Sequence, residues 1–217
     1  MTKELRSSAL EIVVAEGFLW GNDVAISYFD AAERDMAHHW EEVIAPFLGD
    51  IRYHVAVDLA SGRGRNAEFL AREAEQVICV ELNPDNISAL RQRFRGRDAF
   101  TIVQNDGVSL GGVSSGGVDL VYCYDAMVHF DLEIIQMYLR EIMRVLVPGG
   151  HAFLHCSNYT QNPGGDFRAN PHWRNFCSAE MLSHLAQRAG LRVLKLDRTP
   201  WGGIAALDCM VLLQRPA

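Results

Sequence analysis

A chain of 217 residues, 49% of them apolar, with a formal net charge of -7, is long enough to bury one full core and carries no obvious cationic face for nucleic acid. No apolar run approaches the roughly eighteen residues of a membrane span, and Lys3, Glu4 and Arg6 are not followed by the apolar core of a secretory signal. These features predict a single domain over residues 1–217, cytoplasmic, with neither a membrane nor a nucleic-acid partner, although the arginine content leaves a local basic patch open.

From Ser8 to Leu48 the apolar spacing is helical (Phe29, Ala32, Met36, Trp40, then Val43, Ile44 and Phe47) and Gly49 stops it, which predicts an N-terminal cap of two or three helices over 1–50. After Tyr53 the pattern changes to short valine-rich runs separated by helical stretches, the signature of βαβ units in a core spanning 51–217. The runs His54 to Leu59, Gln76 to Glu81, Phe100 to Val103, Val118 to Tyr124 and His151 to Cys156 predict five parallel strands. Helices are expected at Asn66 to Ala74, Asn86 to Phe94 and Leu132 to Leu146, the last with Ile135, Leu139, Ile142, Met143 and Leu146 on one face. Pro148, Gly149 and Gly150 should end that helix and turn the chain into the next strand. A helix at Ser178 to Ala189 then precedes two runs, Leu191 to Asp197 and Leu207 to Gln214, that no helix separates and that are therefore most simply antiparallel.

The residue inventory removes several chemistries. Lys3 and Lys195 are the only lysines, and neither lies in a GxxxxGK[ST] loop. No tyrosine has a lysine four positions on, which excludes the usual pair of short-chain dehydrogenases, and a lysine-bound pyridoxal enzyme is disfavoured. The five cysteines form no CxxC pair, and Cys79, Cys123, Cys156 and Cys209 fall in apolar runs, as small core residues in a reducing compartment do. No spacing implies a metal site, although magnesium held by scattered carboxylates stays open.

What remains is a series of acids, Asp58, Glu81, Asp106 and Asp125, at or just past the ends of successive predicted strands, the edge where an open parallel sheet binds its ligand. Taken singly, each is as readily a helix N-cap. After Asp58, the stretch Ala60-Ser61-Gly62-Arg63-Gly64 offers two glycines for close backbone approach. Gly62, Gly64 and Ala67 also satisfy GxGxxA, which keeps a nicotinamide oxidoreductase as a distant reading. Three residues separate Asp58 from the first glycine, however, and a carboxylate there repels a pyrophosphate and suits a cation.

From Val55 onward these motifs together resemble the class I S-adenosylmethionine-dependent methyltransferases. The segments Val118-Asp119-Leu120-Val121-Tyr122-Cys123-Tyr124-Asp125 and Arg144-Val145-Leu146-Val147-Pro148-Gly149-Gly150 resemble the family's fourth-strand motif and its turn into the fifth strand. The resemblance implies a doubly wound, mostly parallel seven-stranded α/β sheet with a reversed last strand beside the fifth. It implies S-adenosyl-L-methionine as cofactor, with Asp58, Ala60, Gly62 and Gly64 on its methionine side and Glu81 on both ribose hydroxyls. Leu82, Asp106, Gly107 and Tyr124 would complete that pocket. Arg63 departs from the smaller residue common at its position.

His129, just past the fourth strand, is the candidate general base, with Asp125 four residues earlier placed to orient it if the segment is helical; a capping or core histidine is an equal alternative. The long irregular stretch from Ser157 to Phe176 brings hydrogen-bonding and stacking groups, and His155, Asn158, Tyr159 and Trp173 are candidates for contact with the acceptor. A hydroxylated small-molecule acceptor, a sugar or a natural-product alcohol or phenol, suits these groups. Methylation of nitrogen, carbon or a macromolecule is second, and a binding module without turnover is the non-enzymatic alternative.

Overall fold

The change from helical to valine-rich spacing near Tyr53 is where the helices give way to the first strand. A computed structural model describes residues 23–217 together with Glu11 and Val13, so most of the predicted helical segment before Asp23 lies outside the described residues. The chain forms two compact units, Met1–Ser114 and Ser115–Ala217.

In the first unit, helix α1 (Asp23–His39) continues through a π-helical turn at Trp40–Ile44 into α2 (Ala45–Leu48) and ends at Gly49, whose φ of 64° favours a residue without a Cβ. Met36, Trp40, Ile44 and Phe47 are buried as the spacing predicts, and the Trp40 ring lies 5.4 Å from that of Phe69. Strands β1 (Val55–Leu59), β2 (Gln76–Glu81) and β3 (Phe100–Gln104) are parallel in the order β3-β2-β1, with Val57 opposite Ile78 and Cys79 opposite Ile102. Helices α3 (Arg65–Leu70) and α4 (Pro84–Arg93) follow β1 and β2. Asn83 caps α4 by accepting the Asp85 N–H at 2.9 Å, and Pro84 fills a first-turn position that needs no donor.

In the second unit, β4 (Val118–Cys123) and β5 (Leu146–Ser157) are parallel, and β7 (Ile204–Gln214) lies antiparallel between β5 and β6 (Arg192–Trp201). This is the predicted reversed strand beside the fifth. The β6–β7 connection is a two-residue hairpin of Gly202 and Gly203, both at positive φ as such turns require. Helix α5 (Leu132–Val145), capped by Asp131, buries Ile135, Leu139 and Ile142, and α6 (Ala179–Arg188) is capped by Ser178. The seven strands, mostly parallel with the last reversed, give the predicted α/β class.

One predicted turn is different. Pro148-Gly149-Gly150 does not separate helix from strand, because Leu146 already pairs with Val118 and the three residues form a bulge inside β5 before His151 pairs with Leu120. The Gly149 N–H donates to the Arg215 carbonyl at 3.0 Å, and a Cβ on Gly150 would lie 2.9 Å from the Val147 carbonyl oxygen. All five cysteines are buried free thiols.

Candidate functional site

In the first unit the candidate residues gather around the loop after β1. Asp58 is fully buried and neither carboxylate oxygen has a partner of ordinary hydrogen-bond geometry, although the Ala67 N–H lies near enough to favour its charged form. Burial above all, with a smaller push from Glu81, raises its pKa to about 8 against the pull of Arg65. An orphaned buried carboxyl is costly unless a ligand supplies the missing donors.

Past Asp58 the chain turns through Ala60 at φ 55°, Gly62 at 54° and Gly64 at 86°. A Cβ on Gly64 would sit 2.7 Å from the Phe94 ring, so packing as well as backbone conformation demands glycine there. Ser61 ties the loop to β2 through its N–H and hydroxyl, both donating to the Val80 carbonyl at 3.2 Å. Glu81, at the end of β2, accepts the Gly62 N–H on Oε2 at 2.8 Å and the Asn83 N–H on Oε1 at 2.9 Å, so one carboxylate fixes the loops after both strands. Burial raises its pKa, partly offset by those hydrogen bonds.

Asp106 Oδ1 accepts from the N–H groups of Val108 (3.1 Å) and Ser109 (2.8 Å) and from the Ser109 hydroxyl (2.8 Å). Burial alone would raise its pKa, but these bonds outweigh it and hold it below the ordinary value. Leu82 and Val13 both lie against Gly107, where any Cβ would collide with Val13. Phe29 of α1 touches Gly62 in the same way, its ring 3.0 Å from the place a Cβ would occupy, and Glu33 grips Arg93 through both guanidinium nitrogens. Phe29 and Val13 thus pack directly on the glycines of the loops after β1 and β3.

The remaining candidates lie in the second unit. Asp125, buried just past β4, has φ 58°, and the following residues Met127–His129 form only a 3-10 turn before Asp131 starts α5. The helical Asp125–His129 spacing expected from the sequence is therefore absent, because Asp125 is itself left-handed and outside any helical turn. His129 is instead oriented from the long loop: its Nδ1 lies 2.7 Å from the Trp173 carbonyl oxygen. The next residues reinforce the clamp, the Asn175 N–H donating to Val128 O at 2.9 Å and its side-chain amide to His129 O at 3.2 Å. Burial lowers the His129 pKa to about 4, against the opposing Trp173 hydrogen bond.

The other predicted acceptor contacts have structural duties. Asn158 spends its amide on Ala206 O and the Ala179 N–H, Tyr159 bridges Phe176, and His155 is 1% exposed with both ring nitrogens bonded inside the protein. Sequence reasoning missed Arg174 and Asp208, which pair through 2.9 Å and 2.6 Å hydrogen bonds while nearly or fully buried. The available signal was a lone carboxylate in the otherwise apolar run Leu207 to Leu213, which demands a partner.

Residues 57–154, from β1 into β5, match the family model described as a methyltransferase domain. The seven-strand arrangement around that segment is the fold of the solved methyltransferases to which the chain is similar. The matched segment carries a methyltransferase domain, and the cofactor it implies is S-adenosylmethionine. It is 28% identical over 99 residues to ribosomal RNA small subunit methyltransferase A of Acidobacterium capsulatum, a match covering 45% of this chain and 35% of that protein. The chain therefore aligns with about a third of that relative's length.

Among solved structures, a chain from the complex between the Haloferax volcanii Trm112 methyltransferase activator and a methyltransferase is similar with a TM-score of 0.67 at 17% identity, over 92% of this chain and 97% of that one. An S-adenosylmethionine-dependent methyltransferase of Mesorhizobium loti gives 0.66 at 16% identity over 83% and 99%. Geranyl diphosphate C-methyltransferase of Streptomyces coelicolor, solved with S-adenosylhomocysteine, gives 0.65 at 17% over 84% and 82%. No helix among the described residues is long and apolar enough to cross a membrane.

Proposed function

We propose that the protein methylates a hydroxyl group of a small polar molecule, with His129 as general base. The observation that carries this reading is the His129 tautomer. A carbonyl oxygen only accepts, so the proton of the ring sits on Nδ1, facing Trp173, and Nε2 carries the lone pair a general base uses. With its pKa near 4 the imidazole is neutral across the physiological range. So weak a base does not ionise an alcohol beforehand; it takes the proton as the new C–O bond forms.

The first-unit residues fit the cofactor. Asp58 supplies a buried carboxylate for a cationic group, Glu81 keeps lone pairs for two ribose hydroxyls, and Gly62, Gly64 and Gly107 leave bare backbone for close approach. When bound, S-adenosylmethionine supplies a methyl group whose bond to sulfur breaks, the electron pair staying on sulfur, as the acceptor oxygen bonds the methyl carbon. The proton of the acceptor passes to His129 Nε2. Incubation with methyl-labelled cofactor and a panel of sugars, alcohols and phenols, beside ribosomal subunits, tests the acceptor class. Label in a small hydroxylated compound is expected; label confined to RNA would transfer the reading to the activity named for the Acidobacterium relative, against which the net charge of -7 argues.

Two further results are expected. Replacing Glu81 by glutamine keeps one acceptor but turns an NH2 toward the other backbone donor, so adenosylhomocysteine affinity should fall about 10- to 100-fold, roughly 1.5–3 kcal/mol. Unchanged affinity by calorimetry would restrict Glu81 to fixing the loops. Because Phe29 and Val13 pack on the loop glycines, removal of residues 1–50 should abolish turnover and weaken cofactor binding without eliminating it. A truncated chain of normal activity would reduce this segment to a packing element.

A further inference from the structure

We propose that Asp208 and His155 are positioning residues of the methyl-transfer site, acting through the tautomer of His155 to hold Asp125 in its left-handed conformation beside His129. The inference rests on the reading of Asp125 and His129 as that site. Asp125 has φ 58°, a backbone state uncommon for residues with a side chain, which persists only where the surroundings enforce it. Its N–H donates to His155 Nδ1 at 3.2 Å. A backbone amide cannot accept, so Nδ1 carries the lone pair and the ring proton lies on Nε2. That proton is donated to Asp208 Oδ2 at 3.0 Å.

Asp208 also receives two hydrogen bonds from Arg174, whose Nη2 lies 3.9 Å from Asp125 Oδ1. The backbone and the carboxylate of Asp125 both lead back to Asp208. The same Arg174 follows Trp173, whose carbonyl holds His129, so Asp208 anchors that clamp as well. All four side chains are at most 3% exposed, and Tyr124 stacks on His155 with ring centroids 4.7 Å apart, so the imidazole has one orientation. Neutralising Asp208 needs only Arg174; it does not need a histidine whose second nitrogen receives the Asp125 N–H.

Two substitutions separate positioning from packing. In His155→Asn the amide oxygen takes the place of Nδ1 and accepts the Asp125 N–H, while Asp208 loses a donor. In His155→Gln the amide nitrogen takes the place of Nε2 and still serves Asp208, while Asp125 loses its acceptor. His155→Gln should melt higher of the two yet lose kcat about 10- to 100-fold, whereas His155→Asn should melt lower yet lose no more than about fivefold, with KM for the cofactor similar in both. The two rankings therefore cross; rankings that coincide would overturn the proposal.

Hydrogen exchange at the Asp125 amide should be slow in the wild type and in His155→Asn and fast in His155→Gln, and equal rates in all three would also overturn it. If the wild type methylates no acceptor, the methyl-transfer reading itself fails, and the exchange rates still decide the geometry. If neither variant folds, nitrogen chemical shifts of the wild-type His155 ring decide: protonation on Nε2 alone supports the proposal, and a proton on Nδ1 overturns it.

Discussion

Replacing His129 by alanine should lower kcat by roughly 10² to 10⁴, the range for removing a positioned base, while leaving adenosylhomocysteine affinity nearly intact. The separation is expected because His129 stands in the second unit, whereas the orphaned acid and the bare glycines of the cofactor loop stand in the first. The pH profile gives an independent check. A base must be unprotonated, and burial holds the His129 pKa near 4, so the acid limb of kcat should fall near pH 4 and not near the 6.5 of a free imidazole. Stability follows the same sign: between pH 6.5 and 4 the unfolded chain takes up a proton that the folded one refuses. Folding stability present above pH 6.5 is therefore lost as the pH falls toward 4. Loss of cofactor binding in a folded alanine variant would instead make His129 a cofactor contact, and full activity would remove it from the chemistry.

The second large effect is expected at Asp58. Its folded-state pKa is raised from 3.8 to about 8, so between those values the unfolded chain is ionised while the buried carboxyl keeps its proton. Stability of the cofactor-free protein must then decline as the pH rises through that window, by on the order of 4 kcal/mol at neutral pH. Asp58→Asn removes the penalty and should stabilise the cofactor-free protein by about 1–3 kcal/mol near pH 7.5, less than the full amount because the amide is also buried without partners. The same change should weaken adenosylhomocysteine binding by roughly 10²- to 10³-fold, since a buried cation is left without its carboxylate. In the wild type, binding a cation against ionised Asp58 should release a proton below pH 8, visible as a dependence of calorimetric heat on the buffer. A variant that is less stable and binds as well as the wild type would contradict this assignment.

The strands and the glycine turn after β1 are legible in the sequence because their causes are local. Valine-rich runs and glycines after an acid mark β1 and its turn wherever they pack, and Gln76 to Glu81 has the same ends in the sequence pattern and in the fold. Pro148-Gly149-Gly150 misleads because a turn motif can also be absorbed as a bulge when flanking residues pair first, as Leu146 does with Val118. The candidates in the second unit are less legible. The spacing of Asp125 and His129 implies one helical turn, but Asp125 is left-handed and only a 3-10 turn follows it, and the group that orients His129 is a carbonyl of Trp173, a backbone atom that no residue pattern reveals. Arg174 and Asp208 lie 34 positions apart and meet only through the β7 pairing and the long loop, so only the oddity of a carboxylate in an apolar strand announces them.

Titration of the purified protein with adenosylhomocysteine and with NAD tests the central assignment most directly. The expected result is saturable binding of adenosylhomocysteine in the low micromolar to millimolar range, roughly 4 to 8 kcal/mol, with none of NAD, because a cationic group favours ionisation of the buried Asp58 and a pyrophosphate opposes it. Binding of NAD without adenosylhomocysteine would contradict it.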